Sequence, residues 1–310
     1  MNDGAWKVVP ARIGLGPQLA ELGGRIARSA ATDGGHSTPV PGLSLIRAVA
    51  PSQRLPVVLR PGVWLAAQGR ARVLLEDAAH VLDPQHPLVL ATTLPVRCQV
   101  IEASQAHPCL VLRIDLVPPL VQELLHQLGS AAPPSVDAPR PLFLARASAP
   151  LLEAALRLLR LVDAPGEAAV LAPLVLREVH YRLLAGESGG RLRAQCEADA
   201  PARRIARAIA LIEARFAEPV RVCDLAVAAG LGVSALHQRF KATTALSPLQ
   251  FQKRLRLEEA RRLMLAGDAD AARAARSVGY ASPSQFSREY RRLYGAPPRR
   301  EVAALRGGTG

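Results

Sequence analysis

One spacing pattern is written twice in the last hundred residues, and it constrains the fold more than any other feature of this chain. The first copy runs Ala226, Gly230, Leu236, Phe240, Ala245, Pro248, and the second runs Ala275, Gly279, Phe286, Tyr290, Gly295, Pro298. Aromatic to proline is eight residues in both copies, and glycine to aromatic is one residue longer in the second. A small alanine lets two helices cross closely, and the glycine supplies the positive φ of a tight turn. The aromatic then anchors the next helix to a core. Those are the requirements of a helix-turn-helix, expected here at about residues 222–243 and 270–293. Ser282-Pro283-Ser284-Gln285 starts the second helix of the later unit well, with a serine cap, proline at the first position and a glutamine able to close a capping box.

Between the units, Ser247–Ala266 reads as one helix capped by Ser247, with Leu257, Ala260, Leu263 and Met264 on its buried face. At about 1.5 Å per residue it is a rod of roughly 30 Å. Helices that enter successive major grooves on one face of DNA sit about 34 Å apart, so the spacer suits a bipartite reader. Ile205, Ile209, Ile212 and Phe216 form the apolar face of a helix that leads in. From Asp199 onward there are 20 Lys and Arg against 10 Asp and Glu, so +10 of the net charge of +13 lies in this segment. Such a concentration fits a polyanion partner, because covering phosphates releases condensed counterions.

Helical spacing also sorts the side chains. With Leu236 and Phe240 inward, Ser234, His237, Gln238 and Lys241 point outward; with Phe286 and Tyr290 inward, Ser284, Gln285, Arg288 and Arg292 do. Glutamine suits adenine edges and arginine suits guanine, so Gln238 and Arg288 are the leading candidates for base contact. Lys241, Arg291 and Arg292 are assigned to phosphate.

Upstream the texture differs. A helix is expected at about Gln18–Ala30. Short apolar runs follow at Leu43–Ala48, Val57–Arg60, Val63–Ala67, Ala71–Leu75, Leu88–Ala91, Val96–Ile101 and Leu110–Ile114, with turns at Pro61-Gly62, Gln68-Gly69, Asp83-Pro84 and His107-Pro108. Many short strands imply a small barrel or sandwich, and Trp64, Leu65, Val73 and Leu75 are candidates to line a ligand space inside it or simply to form its core. Helices are expected at Pro118–Leu128, Pro150–Leu161 and Ala168–Ala185, with a Pro-rich break over Ala131–Pro141 and a linker from Gly186 to Pro201. The four cysteines, Cys98, Cys109, Cys196 and Cys223, have no metal-type spacing and read as reduced core thiols. No apolar run reaches the roughly 18 residues a membrane span needs, and the N-terminus lacks a signal peptide, so a cytoplasmic, nucleoid-associated protein is expected.

Several runs together resemble the AraC/XylS family of transcriptional regulators: Leu225-Ala226…Gly230, Leu236…Phe240-Lys241, Arg256-Leu257-Glu-Glu-Ala260-Arg261, Val278-Gly279-Tyr280, Gln285-Phe286-Ser287-Arg288 and Gly295…Pro298. Thr38-Pro-Val-Pro-Gly42, Gln68-Gly69, Leu94-Pro95 and Glu178-Val-His-Tyr-Arg-Leu-Leu184 resemble the AraC-type N-terminal domain. The resemblance implies a multidomain α+β chain. An N-terminal cupin-like β-barrel with flanking helices precedes an all-α part, in which two helix-turn-helix subdomains are joined by a long helix. The expected division is an N-terminal helical segment over 1–35, the sensor over 36–130, a helical dimerisation and linker region over 131–200 and the DNA-binding domain over 201–304. Four positions depart from the family pattern. Ala245 stands where glycine is usual, Gly232 replaces a serine cap, and Ala271 and Ala274 replace larger side chains, which leaves the second unit less tightly packed.

The expected function is a sequence-specific regulator that binds double-stranded DNA and responds to a small-molecule effector, with RNA polymerase and a second copy of the chain as partners. The competing reading is a metal-dependent cupin enzyme with a DNA-binding appendage. It has only the barrel in its favour: His80, His86 and His107 are scattered, no His-x-His pair exists, and no phosphate loop, nucleophile elbow or HExxH occurs. No cofactor or metal site is therefore expected.

Overall fold

The computed structural model describes residues 15–75, 77–129, 140–197 and 201–307. The Pro-rich break expected over Ala131–Pro141 lies, up to residue 139, outside the described residues. The amino-terminal half opens with α1 (Gly16–Ser29). Ten strands follow: β1 (Gly34–Ser37), β2 (Leu43–Ala48), β3 (Leu55–Leu59), β4 (Gly62–Gln68), β5 (Arg70–Leu75), β6 (Ala78–Leu82), β7 (Leu88–Leu90), β8 (Leu94–Glu102), β9 (Cys109–Asp115) and β10 (Leu142–Leu144). Helices α2 (Pro118–Leu128), α3 (Ala149–Arg160), α4 (Pro165–Ala185) and α5 (Gly189–Glu197) complete it.

All strand pairs are antiparallel. They form a six-stranded sheet in the order β1-β2-β9-β4-β7-β10 and a four-stranded sheet in the order β3-β8-β5-β6. The α+β multidomain architecture is as expected, but the sheets do not close into one barrel. The chain crosses from one sheet to the other at Gly69, whose φ of +75° and contacts explain its identity: a Cβ there would lie 2.6 Å from the Cys109 Cα and 2.7 Å from the Glu102 carbonyl. That corner ends the β4 ladder and starts β5 in the second sheet.

The central strands of the six-stranded sheet are buried on both faces, while its edge strand β1 is largely exposed. Val63, Leu65 and Ala67 of β4, with Leu110, Leu112 and Ile114 of β9, face a core shared with α1, α3 and α4. The alternate residues Trp64, Ala66, Cys109 and Val111 meet Val73, Leu82, Leu94 and Val96 of the four-stranded sheet. Period-two alternation thus separates Trp64 and Val73 from Leu65, which faces the helices and cannot line a space between the sheets. The expected linker after Gly186 is corrected too: α5 forms there because Leu192 inserts into the helical core and is 1% exposed. Of the cysteines, Cys109 is buried and Cys98 half-buried, but Cys223 is exposed and so is not a core thiol; the Cys196 side chain lies outside the described residues.

The carboxy-terminal half is helical: α6 (Pro201–Ala214), α7 (Val222–Ala229), α8 (Val233–Thr244), α9 (Pro248–Ala266), α10 (Ala271–Ser277), α11 (Pro283–Tyr294) and α12 (Pro298–Gly307). It has two cores with α9 common to both. Phe251 and Leu255, from the first half of α9, join Ile205, Ile209, Ile212, Leu225, Leu236 and Phe240. Leu257, Ala260 and Met264, from its second half, join Ala274, Ala275, Val278, Phe286 and Tyr290.

Candidate nucleic-acid interface

Each unit is built as its residues require. Gly230 ends α7 in the left-handed region at φ 61°, and Gly279 follows α10 at φ 83°. Ala226 is 4% and Ala275 0% exposed, as close helix crossings demand. Phe240 and Tyr290 are fully buried beneath α8 and α11. Phe240 meets Phe251 of α9 edge to face at 5.4 Å. Tyr290 donates its hydroxyl to Glu301 Oε2 at 2.8 Å, and Glu301 Oε1 accepts from Arg261 Nη2 at 2.6 Å. This buried triad joins α11, α12 and α9. Burial disfavours the Arg261 charge, but Glu301 more than offsets it and holds the guanidinium protonated.

Helix starts follow the sequence closely. Ser247 caps α9 in a full capping box with Gln250. Ser282 accepts from the Gln285 backbone at 3.3 Å, but the Gln285 side chain turns to Glu289 Oε1 at 3.3 Å instead of closing a box. Gly232 caps α8 with no side-chain bond. Ala245 ends α8 at φ 63°, the only non-glycine residue at positive φ among the described residues.

All nine side chains assigned to DNA are exposed: Ser234, His237, Gln238 and Lys241 on α8, and Ser284, Gln285, Arg288, Arg291 and Arg292 on α11. Among the described residues, Arg288, Arg291, Arg292 and Lys241 have no ion pair, so their charges remain available. Sequence spacing passed over two features. Arg239 of α8 is also exposed and basic. Glu289, an acid on the reading helix, is neutralised from behind: Lys253 Nζ lies 2.9 Å from Oε1 and the Tyr280 hydroxyl donates to Oε2 at 2.7 Å. Burial works against its ionisation, yet these donors keep its pKa below the usual carboxylate range. A cleft of about 300 Å³ between α9 and α11 is lined by Lys253, Arg254, Leu257, Glu289, Arg292 and Leu293, among others.

The amino-terminal half rests on this reader. Val58 of β3 packs against the first helical core, and β3 lies against α9 and α11. Thr93, 1% exposed, donates to Glu213 Oε1 of α6 at 2.8 Å. Burial, with Glu258 of α9 nearby, pushes the Cys98 thiol up to about 12. Among the described residues no three His, Cys, Asp or Glu side chains group as metal ligands, and no helix is long and apolar enough to cross a membrane.

Two family models match: the AraC-type transcriptional regulator N-terminus over residues 39–191 and a helix-turn-helix domain over residues 225–302. The chain is 39% identical over 94 residues to an AraC-like transcription regulator of Streptomyces lividans, covering 30% of this chain and 31% of that one. It is 36% identical over 96 residues to the transcriptional activator RhaS of Escherichia fergusonii, covering 31% and 34%. The matched segment therefore spans about a third of the length of these relatives. The thermoregulatory protein LcrF of Yersinia pestis is 25% identical over 241 residues, covering 76% of this chain and 87% of LcrF. Among solved structures, an apo ToxT variant of Vibrio cholerae superposes with a TM-score of 0.62 at 12% identity, covering 86% of this chain and 98% of that one. Unsaturated fatty acid bound ToxT gives 0.57 at 12% identity, covering 86% and 95%. These likenesses establish a shared two-part fold.

Proposed function

Because the chain belongs to the AraC family of transcriptional regulators, we propose that it is a sequence-specific DNA-binding regulator whose α8 and α11 enter adjacent major grooves. It is a binding protein and not an enzyme. One observation carries this reading: two helices, each pinned from below by a buried aromatic and packed on one shared helix, present exposed amide side chains and basic side chains without an ion pair outward. At 19 residues, α9 is a spacer of about 28 Å, close to one turn of B-form DNA. Gln238 and Arg288 read base edges, Ser234, His237, Ser284 and Gln285 assist, and Lys241, Arg291 and Arg292 hold phosphates.

The finer reading divides the chain into a sensor over about 36–130, helices serving dimerisation over about 131–200 and the reader over about 201–304. The sensor takes a small effector, and the ligand of the ToxT structure suggests an amphipathic one. Val170, Leu171 and Leu174 of α4 are 68%, 39% and 62% exposed, and this apolar stripe is the proposed seat of a second copy. RNA polymerase in the cytoplasm, at the nucleoid, is the remaining partner.

The test is a footprint of the protein on its own chromosome, followed by titration of a protected duplex against salt. If Lys241, Arg291 and Arg292 each cover a phosphate, log K should fall against log salt with a slope near −2.7, about −0.9 for each phosphate covered. A flat salt response, or no protected sites, defeats the reading.

A further inference from the structure

Arg256 sits midway along α9 and touches both helix-turn-helix units. Its Nε–H donates to the Phe216 carbonyl at 2.6 Å, and Nη2 donates to the carbonyls of Ala217 at 3.2 Å and Glu218 at 2.9 Å. Those carbonyls lie in the turn after α6, in the first unit. Nη1 of the same guanidinium donates to the Gly279 carbonyl at 3.1 Å, in the turn of the second unit. A planar fork that satisfies four carbonyls fixes direction as well as distance, which a lysine ammonium does not. The two turns also touch at this point: a Cβ on Gly279 would lie 1.9 Å from the Ala217 carbonyl oxygen. Backbone meets backbone there, so no side chain can give way. Phe216 beside them packs against both cores.

We infer that Arg256 is a positioning residue that locks the two recognition helices in one relative orientation and thereby sets the half-site spacing the protein accepts. This rests on the reading of α8 and α11 as paired readers. A bipartite reader gains about 10²–10⁴ in affinity by making its second contact intramolecular, and loses that gain when the geometry is wrong. One inserted base pair shifts the second groove by about 3.4 Å and turns it by about 35°. A locked pair of readers refuses that duplex, whereas an unlocked pair follows it.

Gln252 supplies the control. Its Nε2 donates to the carbonyls of Phe216 at 3.0 Å and Glu218 at 2.6 Å, within the first unit. It helps hold the turn, but it makes no bond to Gly279.

The experiment uses the full chain and a duplex selected from a random-sequence pool with the wild-type protein. Three versions are titrated: the intact site, the site with one base pair inserted between its halves, and a single half-site. Wild type should prefer the intact over the inserted duplex by about 100-fold. Arg256→Ala should cut that preference to under about 10-fold, with half-site affinity held within about 3-fold. Gln252→Ala should keep the wild-type preference, and Arg256→Lys should fall between. If Arg256→Ala does not fold, the Arg256→Lys result against Gln252→Ala decides. Equal spacing preference in wild type and both Arg256 variants overturns the inference while sparing the paired-reader reading. A wild type that binds intact and half-sites equally well overturns both.

Discussion

Ala245 holds the left-handed C-cap of α8 at φ 63° and ψ 0°, where the second unit places Gly295 at φ 83° and ψ −19°. An L-residue in that region costs about 1–2 kcal/mol, because Cβ approaches the following carbonyl. Ala245→Gly relieves this cost but gives the unfolded chain extra freedom, returning about 0.4–1 kcal/mol. The net expectation is a gain of about 0.5–1 kcal/mol. In a urea titration followed by helical circular dichroism, a slope near 2 kcal/mol/M puts the midpoint about 0.25–0.5 M higher. Amide exchange should localise the added protection to α8 and the start of α9. The reciprocal change isolates the cause: a Cβ on Gly295 meets no atom within 4 Å, so the cost of Gly295→Ala is backbone conformation alone and should be about 1 kcal/mol. An unchanged or lowered midpoint for Ala245→Gly, beside a clear loss for Gly295→Ala, would refute the argument from φ.

Three further outcomes are expected. Gly232→Ser adds the missing N-cap acceptor of α8 in open space and should stabilise by a few tenths of a kcal/mol in the same titration. Arg288→Ala should cost about 1–3 kcal/mol of binding and relax preference at one base pair, seen in a gel-shift series over single-base variants; uniform weakening across all of them would speak against base contact. His180 is buried and kept neutral, its pKa lowered chiefly by burial, with Nε2 accepting from Val117 N at 2.9 Å and Nδ1 bonded to the Leu176 carbonyl at 2.7 Å. Since the unfolded chain binds the proton first, its contribution should be intact above about pH 6.5 and lost as pH falls below it. His180→Gln should flatten the pH dependence of the urea midpoint between about pH 6.5 and 5.

The residues that announced themselves in the sequence were those with local causes. β2 and α2 run Leu43–Ala48 and Pro118–Leu128, the bounds their apolar pattern and prolines imply. The exposure of all nine candidate DNA residues follows from helical spacing around two buried aromatics. What stayed hidden depends on partners distant in the chain. Gly34–Ser37 and Ala78–Leu82 have little strand propensity of their own and are held extended by β2 and β5. A count of strands does not say whether a ladder closes, so the barrel and the two-sheet arrangement looked alike until Gly69 was placed between Cys109 and Glu102. Arg256 was visible only as part of a signature, because the four carbonyls it gathers lie 23 to 40 residues away.

The position of those carbonyls bears on how a signal from the first half reaches the second. Thr93 holds Glu213 on α6, and Arg256 holds the turn that follows α6. One short helix and its turn therefore link the first half to the shared helix, beside the direct contact of β3 with α9. A hydrogen bond to a charged group contributes about 1.5–3 kcal/mol, and allosteric coupling is typically about 1–3 kcal/mol. An effector in the proposed sensor need not remodel a core to alter DNA binding: breaking or making the Thr93 contact is energetically enough. Its influence need not stop at the first recognition helix, since α6 lies in the core with α8 while β3 lies directly against α9 and α11.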